Sequence, residues 1–325
     1  MNRLTEGAKI QTVKVRKTAF NFHLAAAVIA VLLWSTSFVG TKLAYQSFPP
    51  LTVGAARFAV ASVILGALLV LRKEFYWPPL QDLGWMVLSG LLGITLYFSL
   101  ENIGLGWTSA SSAALIVASY PAITLLLEFI FFRIITSWIK GLGIITAIAG
   151  VYVVTGGSVD GGIHSVKGNL ILVAAGVVFA AYNFSTRKVV GKYSMVTVSF
   201  YQNVSGTLSF IPLAWFEHKQ WVGPNAQAVW MIVYLGLFCS VAAFMLYNYG
   251  LRRLHSGTAV ALLNLVPVFG VLFSSMFLHE ALHATDWIGG FIILAGVILS
   301  VTEKRKKPGS RRDQGESPDS RRGTL

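Results

Sequence analysis

Hydrophobic and polar positions form long blocks along this chain, without the strict alternation of a soluble strand. Ten mostly apolar stretches approach or exceed the length of about 20 residues that crosses a bilayer as a helix. Short breaks separate them, each with charge, glycine or proline. The pattern predicts ten membrane-spanning helices at 22–44, 51–72, 83–101, 109–132, 138–156, 168–190, 195–216, 228–250, 256–278 and 286–302.

The composition supports this interpretation. Hydrophobic residues make up 55% of the 325 residues and Asp, Glu, Lys and Arg only 12%, against about 25% charged residues in soluble domains. A single cysteine, Cys239, excludes a disulfide scaffold. The sequence therefore predicts an all-α polytopic membrane protein, and the short breaks leave no room for a soluble catalytic domain.

The net charge is +13, and the distribution of its positive residues along the chain indicates the orientation of the protein in the membrane. With the N-terminus inside, 22 of the 26 Lys and Arg residues face the cytoplasm and three face outward, as the positive-inside rule requires. The basic tail at 1–21 and a disordered tail at 303–325 are then both cytoplasmic. The first span is too long for a cleaved signal peptide. The sequence contains no basic stripe with interleaved aromatic residues, so nucleic-acid binding is not expected.

The chain repeats itself at an offset of 146 residues without a gap. Phe38 aligns with Phe184, Asn102 with Asn248 and Pro121 with Pro267, among other matches over five spans. Because five is odd, the second copy begins on the opposite side of the membrane. We therefore expect two inverted five-helix repeats, at 22–156 and 168–302, as in many secondary transporters.

Several motifs carry a resemblance to a known family. They are W-S-T-S-F at 34–38, Arg57-Phe58, G-L-x-x-T-S-A-S-S-A at 104–113, its counterpart at 250–259, and F-L-H-E-A at 277–281. The chain resembles the drug/metabolite transporter superfamily, specifically the EamA-type transporters, over about 22–302. The resemblance implies the ten-helix fold and the export of metabolites or amino acids. It also implies a Glu after the fourth span of each half. This chain has that residue in its second half, as Glu280, whereas Ile134 stands at the matching position of the first half.

Three ionisable residues stand out inside or beside the spans, where charge is costly and indicates function. Arg57 either meets a substrate carboxylate or pairs permanently with Glu101. Glu128 either binds an ammonium group or proton, or pairs with Arg133, or extends to the surface as a snorkelling side chain. Glu101 and Glu128 are the candidates for proton coupling.

The remaining candidates for substrate binding are aromatic rings, amides and a hydroxyl drawn from several spans. Rings attract ammonium groups, and amides suit carboxylates and hydroxyls. For any single ring, core packing or a position in an interfacial aromatic belt is the more expected explanation. With Arg57 and Glu101, the predicted substrate-binding set is completed by Trp34, Ser37, Phe38, Tyr97, Tyr182, Asn183, Tyr247, Asn248 and Asn264.

Two further patterns concern the helices themselves. Pro121 and Pro267 remove helix hydrogen bonds at matching positions and predict kinks. Small residues in spans five and ten predict close-packed scaffold helices; they are Gly143, Ala147, Gly150, Gly289, Gly290 and Gly296.

One motif points to a different function. His279-Glu280-x-x-His283 fits the spacing of a zinc protease helix, but a third ligand is not evident, and neither a metal nor another cofactor is expected. The sequence contains no phosphate-binding loop, so an ATP-driven pump is not expected. The sequence predicts a transporter rather than an enzyme, in a bacterial inner membrane. It is expected to export amino acids or related compounds, and to act either without a protein partner or as a homodimer. Import, or another small organic solute, is the alternative, and a membrane zinc protease is a distant third.

Overall fold

The structure is a computed structural model that describes residues 2–133, 137–157, 162–254 and 256–301. Those residues are all-helical, with one isolated bridge between Val190 and Tyr193 and no strand. The predicted disordered tail at 303–325 and Ile134 lie outside the described residues.

The helices of the described residues group into ten main elements, four of which are interrupted, two by a π-helical turn and two by a break. The first five are α1 (Asn2–Ala44), α2 (Pro50–Leu71), α3 (Leu80–Trp107), α4 (Ala110–Phe132) and α5 (Trp138–Gly157). The second five are α6 (Gly162–Thr186), α7 (Met195–Trp215), α8 (Ala226–Leu251), α9 (Ser256–Leu263 and Leu265–Leu278) and α10 (Ala284–Val301).

Nine segments of the described residues are long and apolar enough to cross a membrane. The chain is therefore a multi-pass membrane protein. The helix α7 is not among the nine, because Gln202, Asn203 and several hydroxyl residues lower its hydropathy. Its crossing of the membrane stays a prediction.

One predicted boundary was wrong. The third helix does not end at Glu101-Asn102 but continues to Trp107, with both polar residues buried. The third span was expected to end there because charged and amide residues usually mark loops. The predicted first span at 22–44 coincides with the apolar segment Phe22–Ala44, and its helix extends back to Asn2.

Backbone irregularities recur in the two halves of the chain at almost the same offset as the sequence repeat. The helix α3 contains a π-helical turn at Leu91–Leu96, and α8 contains one at Leu235–Ala242. The helix α4 is interrupted at Ser119 and α9 at Asn264, two and three residues before Pro121 and Pro267. Both of these helices end in a left-handed residue, Arg133 with φ 50° and His279 with φ 52°.

The predicted small-residue seam is confirmed between α5 and α10. A side-chain carbon on Gly143 would lie 2.5 Å from the backbone nitrogen of Ser300, and one on Gly296 would lie 2.3 Å from that of Ala147. A side-chain carbon on Gly150 would lie 2.7 Å from Ile293. The backbones of the two helices are therefore closely packed along this seam.

Candidate functional site

The two ends of the helix bundle are named here after one residue at each end, Lys42 and Asp82, whose polar contacts join neighbouring segments. At the Lys42 end, the Lys42 ammonium donates a 2.6 Å hydrogen bond to the Thr108 carbonyl. At the Asp82 end, Lys192 and Tyr193 contact the Asp82 carboxylate at 2.8 and 2.6 Å. The helices α2 and α4 both begin at the Lys42 end.

Arg57 lies two turns into α2 from the Lys42 end and is buried. Its Nε donates a 2.7 Å hydrogen bond to Ser240 Oγ on α8. Its guanidinium carbon stands 4.9 Å from the ring centre of Phe98 and 5.3 Å from that of Phe58. The aromatic faces stabilise the cation, so the charge is held among neutral groups.

Arg57 and Glu101 do not form an ion pair in the described part of the chain, and the expected alternative of a permanent pair stays a prediction. Among the described residues, Glu101 instead accepts a hydrogen bond from the Tyr97 hydroxyl, one turn earlier on α3. Arg57 remains within electrostatic range of Glu101. The guanidinium therefore keeps donors that no carboxylate within the described ranges occupies.

Tyr97 begins an aromatic path that leads away from Arg57 toward the Asp82 end. Its ring packs at 5.4 Å from Phe179 on α6, and Phe179 packs at 5.9 Å from Tyr182. Tyr120 of α4 joins the same cluster, 5.6 Å from Phe179. Two predicted site residues, Tyr97 and Tyr182, are thus linked by a ring that the sequence did not single out.

On the other side of Arg57, Trp34 of α1 faces α8. Its indole nitrogen donates a 3.1 Å hydrogen bond to the Cys239 carbonyl, next to Ser240. Its ring lies 5.2 Å from Tyr247 and 5.0 Å from Phe244. Trp34 and Tyr247 are therefore brought together, and the carbonyl that accepts from Trp34 belongs to Cys239, the residue before the serine that contacts Arg57.

Four predicted site residues have other surroundings. Ser37 bonds to the Trp34 carbonyl at 2.6 Å, and Asn248 to the Phe244 carbonyl at 2.8 Å, both within their own helices. Phe38 is buried in the main hydrophobic core. Asn264 is half-buried at the break in α9. Their patterns in the sequence do not distinguish a site from packing.

A cavity of about 440 Å³ opens between α4 and α6 toward the Asp82 end. Such a volume falls within the range of small-molecule sites, about 300–1,000 Å³. Apolar and polar groups share its lining, which consists of Pro121, Thr124, Leu125, Glu128, Phe179, Asn183, Thr186, Arg187, Val190 and Val301. Three of these residues, Pro121, Glu128 and Asn183, were predicted from the sequence.

The partner of Glu128 is Arg187, at 2.7 Å, and not the expected Arg133. Arg133 is exposed in the left-handed turn that ends α4, so its side chain leaves the helix that carries Glu128. Sequence reasoning did not single out Arg187, although the predicted sixth span at 168–190 contains it. The available signal was its spacing, four residues after Asn183, which places the two side chains on one side at the end of α6.

Glu280 and Glu217 close the Lys42 end. The Glu280 carboxylate accepts hydrogen bonds of 2.8 and 2.9 Å from the backbone nitrogens of Ala110 and Ser111, and one of 2.8 Å from Ser111 Oγ. Glu217 similarly accepts from the Thr52 nitrogen at 2.8 Å, near the start of α2. Both carboxylates lie at helix N-termini, where negative charge is stabilising, and both join the second half of the chain to the first.

The zinc-protease spacing does not lie on a helix. The helix α9 ends at Leu278, and residues 279–283 are irregular, so the two imidazoles lack the helical register that the motif requires. Within the described residues, no group of three or more His, Cys, Asp or Glu side chains is placed to hold a metal ion.

Comparison with known families matches residues 21–156 and again 166–302 to the EamA-like transporter family. A probable terminal-alkyne amino-acid exporter of Streptantibioticus cattleyicolor is 29% identical over 294 residues, covering 89% of this chain and 95% of that protein. An uncharacterized transporter of Archaeoglobus fulgidus is 24% identical over 276 residues, covering 85% and 97%.

A crystal structure that is 20% identical shares the fold, with a TM-score of 0.60 over 88% of this chain and 98% of that chain. The names of the relatives indicate transporters and not enzymes. Such a function implies a small-molecule substrate and a lipid bilayer as surroundings. Because the family matches cover nearly the whole apolar part of the sequence, this chain belongs to the EamA-like transporter family.

Proposed function

We propose that this chain is a secondary-active transporter that exports amino acids or related compounds from a bacterial cell. It works by alternating access between two inverted five-helix halves, with α7 as the tenth span. The observation that carries the mechanism is the recurrence of backbone irregularities in α3 and α8, and in α4 and α9. Paired, interrupted helices are where transporters with inverted repeats place their substrate sites.

Amino acids are proposed because of both the relatives and the chemistry of the interior. One relative bears the name of a probable amino-acid exporter. In this chain, Arg57 offers a buried cation for a carboxylate, and Glu128 offers a carboxylate for an ammonium group. Trp34, Tyr97, Tyr182 and Tyr247 supply aromatic walls.

The proposed orientation follows from the distribution of Lys and Arg. Both termini are cytoplasmic, so the Asp82 end faces the cytoplasm and the Lys42 end faces outward. The cavity beside Glu128 then opens to the cytoplasm, the side from which an exporter takes its substrate.

Proton coupling is the proposed energy source, since Glu101 and Glu128 are the acidic side chains next to the aromatic path and the cavity. Flux in proteoliposomes should increase when an imposed pH gradient drives protons against the exported solute. Flux that is indifferent to the gradient would contradict coupling.

Cells that overproduce the protein provide the test of direction. Export predicts higher tolerance of toxic amino-acid analogues, and the Glu128→Gln variant should lose that advantage at equal membrane abundance. Lower tolerance across the panel would favour import, and unchanged tolerance with no flux of amino acids would favour a different organic solute.

A further inference from the structure

The ion pair beside the cavity joins two charges of unequal exposure. Glu128 projects from α4, four residues before the helix ends, and its side chain is 14% exposed. Arg187 directly follows α6, and its side chain is 63% exposed. Both line the same cavity, so a molecule that enters it meets the two charges together.

A carboxylate that is mostly covered by a membrane protein, as Glu128 is, is costly unless it is paired. Each member of the pair neutralises the other. A ligand with both an ammonium and a carboxylate group can replace each partner with its own opposite charge, so that neither residue is left unpaired. A ligand with one charge must strand either Glu128 or Arg187.

The unequal exposure predicts how the affinities of singly charged ligands rank. A ligand that carries only an ammonium group leaves Arg187 to the water that already covers much of it. A ligand that carries only a carboxylate strands Glu128, which is mostly covered by protein. Loss of the ammonium group therefore costs more than loss of the carboxylate.

The rest of the lining suits an uncharged side chain. Pro121, Leu125 and Phe179 present apolar surface, whereas Thr124 and Asn183 offer hydrogen bonds near the charged pair. The aromatic path from Phe179 to Tyr97 continues from this cavity into the protein. An aliphatic or aromatic side chain would therefore find apolar contacts on the side that leads inward.

We propose that the Glu128–Arg187 pair is a displaceable lock that selects zwitterionic α-amino acids with uncharged, apolar side chains. Arg187 binds the substrate carboxylate and Glu128 binds its ammonium group, at the cytoplasmic entrance of the transport path. This inference rests on the proposed amino-acid transport, and it adds Arg187 as a specificity-determining residue and free α-amino and α-carboxylate groups as the requirement.

The test measures binding to the purified full-length protein in lipid nanodiscs by calorimetry. The probes are leucine and phenylalanine, the amide of each, which lacks the carboxylate, and the N-acetyl derivative of each, which lacks the ammonium group. For the wild-type protein we expect the free amino acid to bind best, the amide about tenfold or more weakly, and the N-acetyl acid weakest.

Variants assign the two contacts. Arg187→Gln should abolish the preference for the free amino acid over its amide, because the contact to the carboxylate is lost and the amide no longer has to displace Arg187 from Glu128. Arg187→Lys should recover part of the preference. Glu128→Gln should weaken both the free amino acid and the amide. The control, Arg133→Gln, removes an exposed positive charge at the end of the same helix and should change nothing.

The outcomes separate the lock from the wider function. If Arg187→Gln keeps the wild-type preference for the free amino acid over its amide, the lock is wrong although amino-acid transport stands. If the wild-type protein binds neither leucine nor phenylalanine, both the lock and its amino-acid substrate class are wrong. If an N-acetyl acid binds better than the matching amide, the assignment of Glu128 to the ammonium group is wrong.

Discussion

Replacing Glu280 with Gln should destabilise the protein by a predictable amount. The first three backbone N–H groups of α4 all have acceptors: Ala110 and Ser111 donate to Glu280, and Ser112 donates to Ser109. Gln offers one oxygen where Glu offers two, and its amide nitrogen would face N–H donors. At least one charge-assisted hydrogen bond is therefore lost, together with the charge that favours the helix dipole.

The structure allows the size of this loss to be worked out. A hydrogen bond to a charged group contributes about 1.5–3 kcal/mol, and a carboxylate at a helix N-terminus adds about 0.3–1 kcal/mol. The expected loss of unfolding free energy is about 2–4 kcal/mol. For a chain of this length it lowers Tm by about 3–8 °C.

Tryptophan fluorescence during heating, in one detergent for all variants, measures this change. The matched control is Glu74→Gln at the Asp82 end, where the carboxylate accepts a single exposed hydrogen bond of 3.1 Å from Ser194. Its Tm should shift by less than about 1 °C. A Glu280→Gln protein whose Tm equals that of the wild type and of the Glu74 variant would refute the reasoning.

Three further predictions follow from single contacts. Arg57→Lys keeps the charge but loses the Nε donor and the flat face over the rings, so flux should fall at least about tenfold; flux equal to wild type would exclude Arg57 from the site. Gly296→Leu should prevent close packing of α10 on α5 and yield aggregated protein on gel filtration, whereas Gly156→Ala, with open space around it, should remain monodisperse. The hydrogen bond to Asp82 raises the pKa of Tyr193 to about 12, so the stabilising contact persists below pH 10 and is lost as pH rises through about 12. An ultraviolet difference titration between wild type and Tyr193→Phe measures the ionisation of this tyrosine. A difference that titrates near pH 10 would contradict the contact.

Hydropathy and length were sufficient to place most of the helices, because a bilayer forces every backbone polar group in a span to bond within its own helix. The same criterion failed at Glu101, where the third span was expected to end although the helix continues to Trp107. Its carboxylate is buried because Tyr97 donates to it from the preceding turn. Hydropathy treats each residue alone, and it cannot register a polar group whose partner lies one turn away.

The candidate site was harder to predict from the sequence than the helices, because its contacts join distant parts of the chain. Arg187 pairs with Glu128 across 59 positions, and Arg57 bonds to Ser240 across 183. Neither partner has a local signature. The repeat indicated which helices are interrupted, but the side chains that those interruptions bring together depend on packing between the two halves.

Counterflow most directly tests the central claim that this chain is a secondary transporter of amino acids. Proteoliposomes are loaded with unlabelled leucine or phenylalanine, diluted into the labelled amino acid without ATP, and sampled over time. The account predicts a transient accumulation of label that depends on the protein and is greatly reduced in the Glu128→Gln variant. Uptake no greater than that of protein-free liposomes, for these and other apolar amino acids, would contradict it.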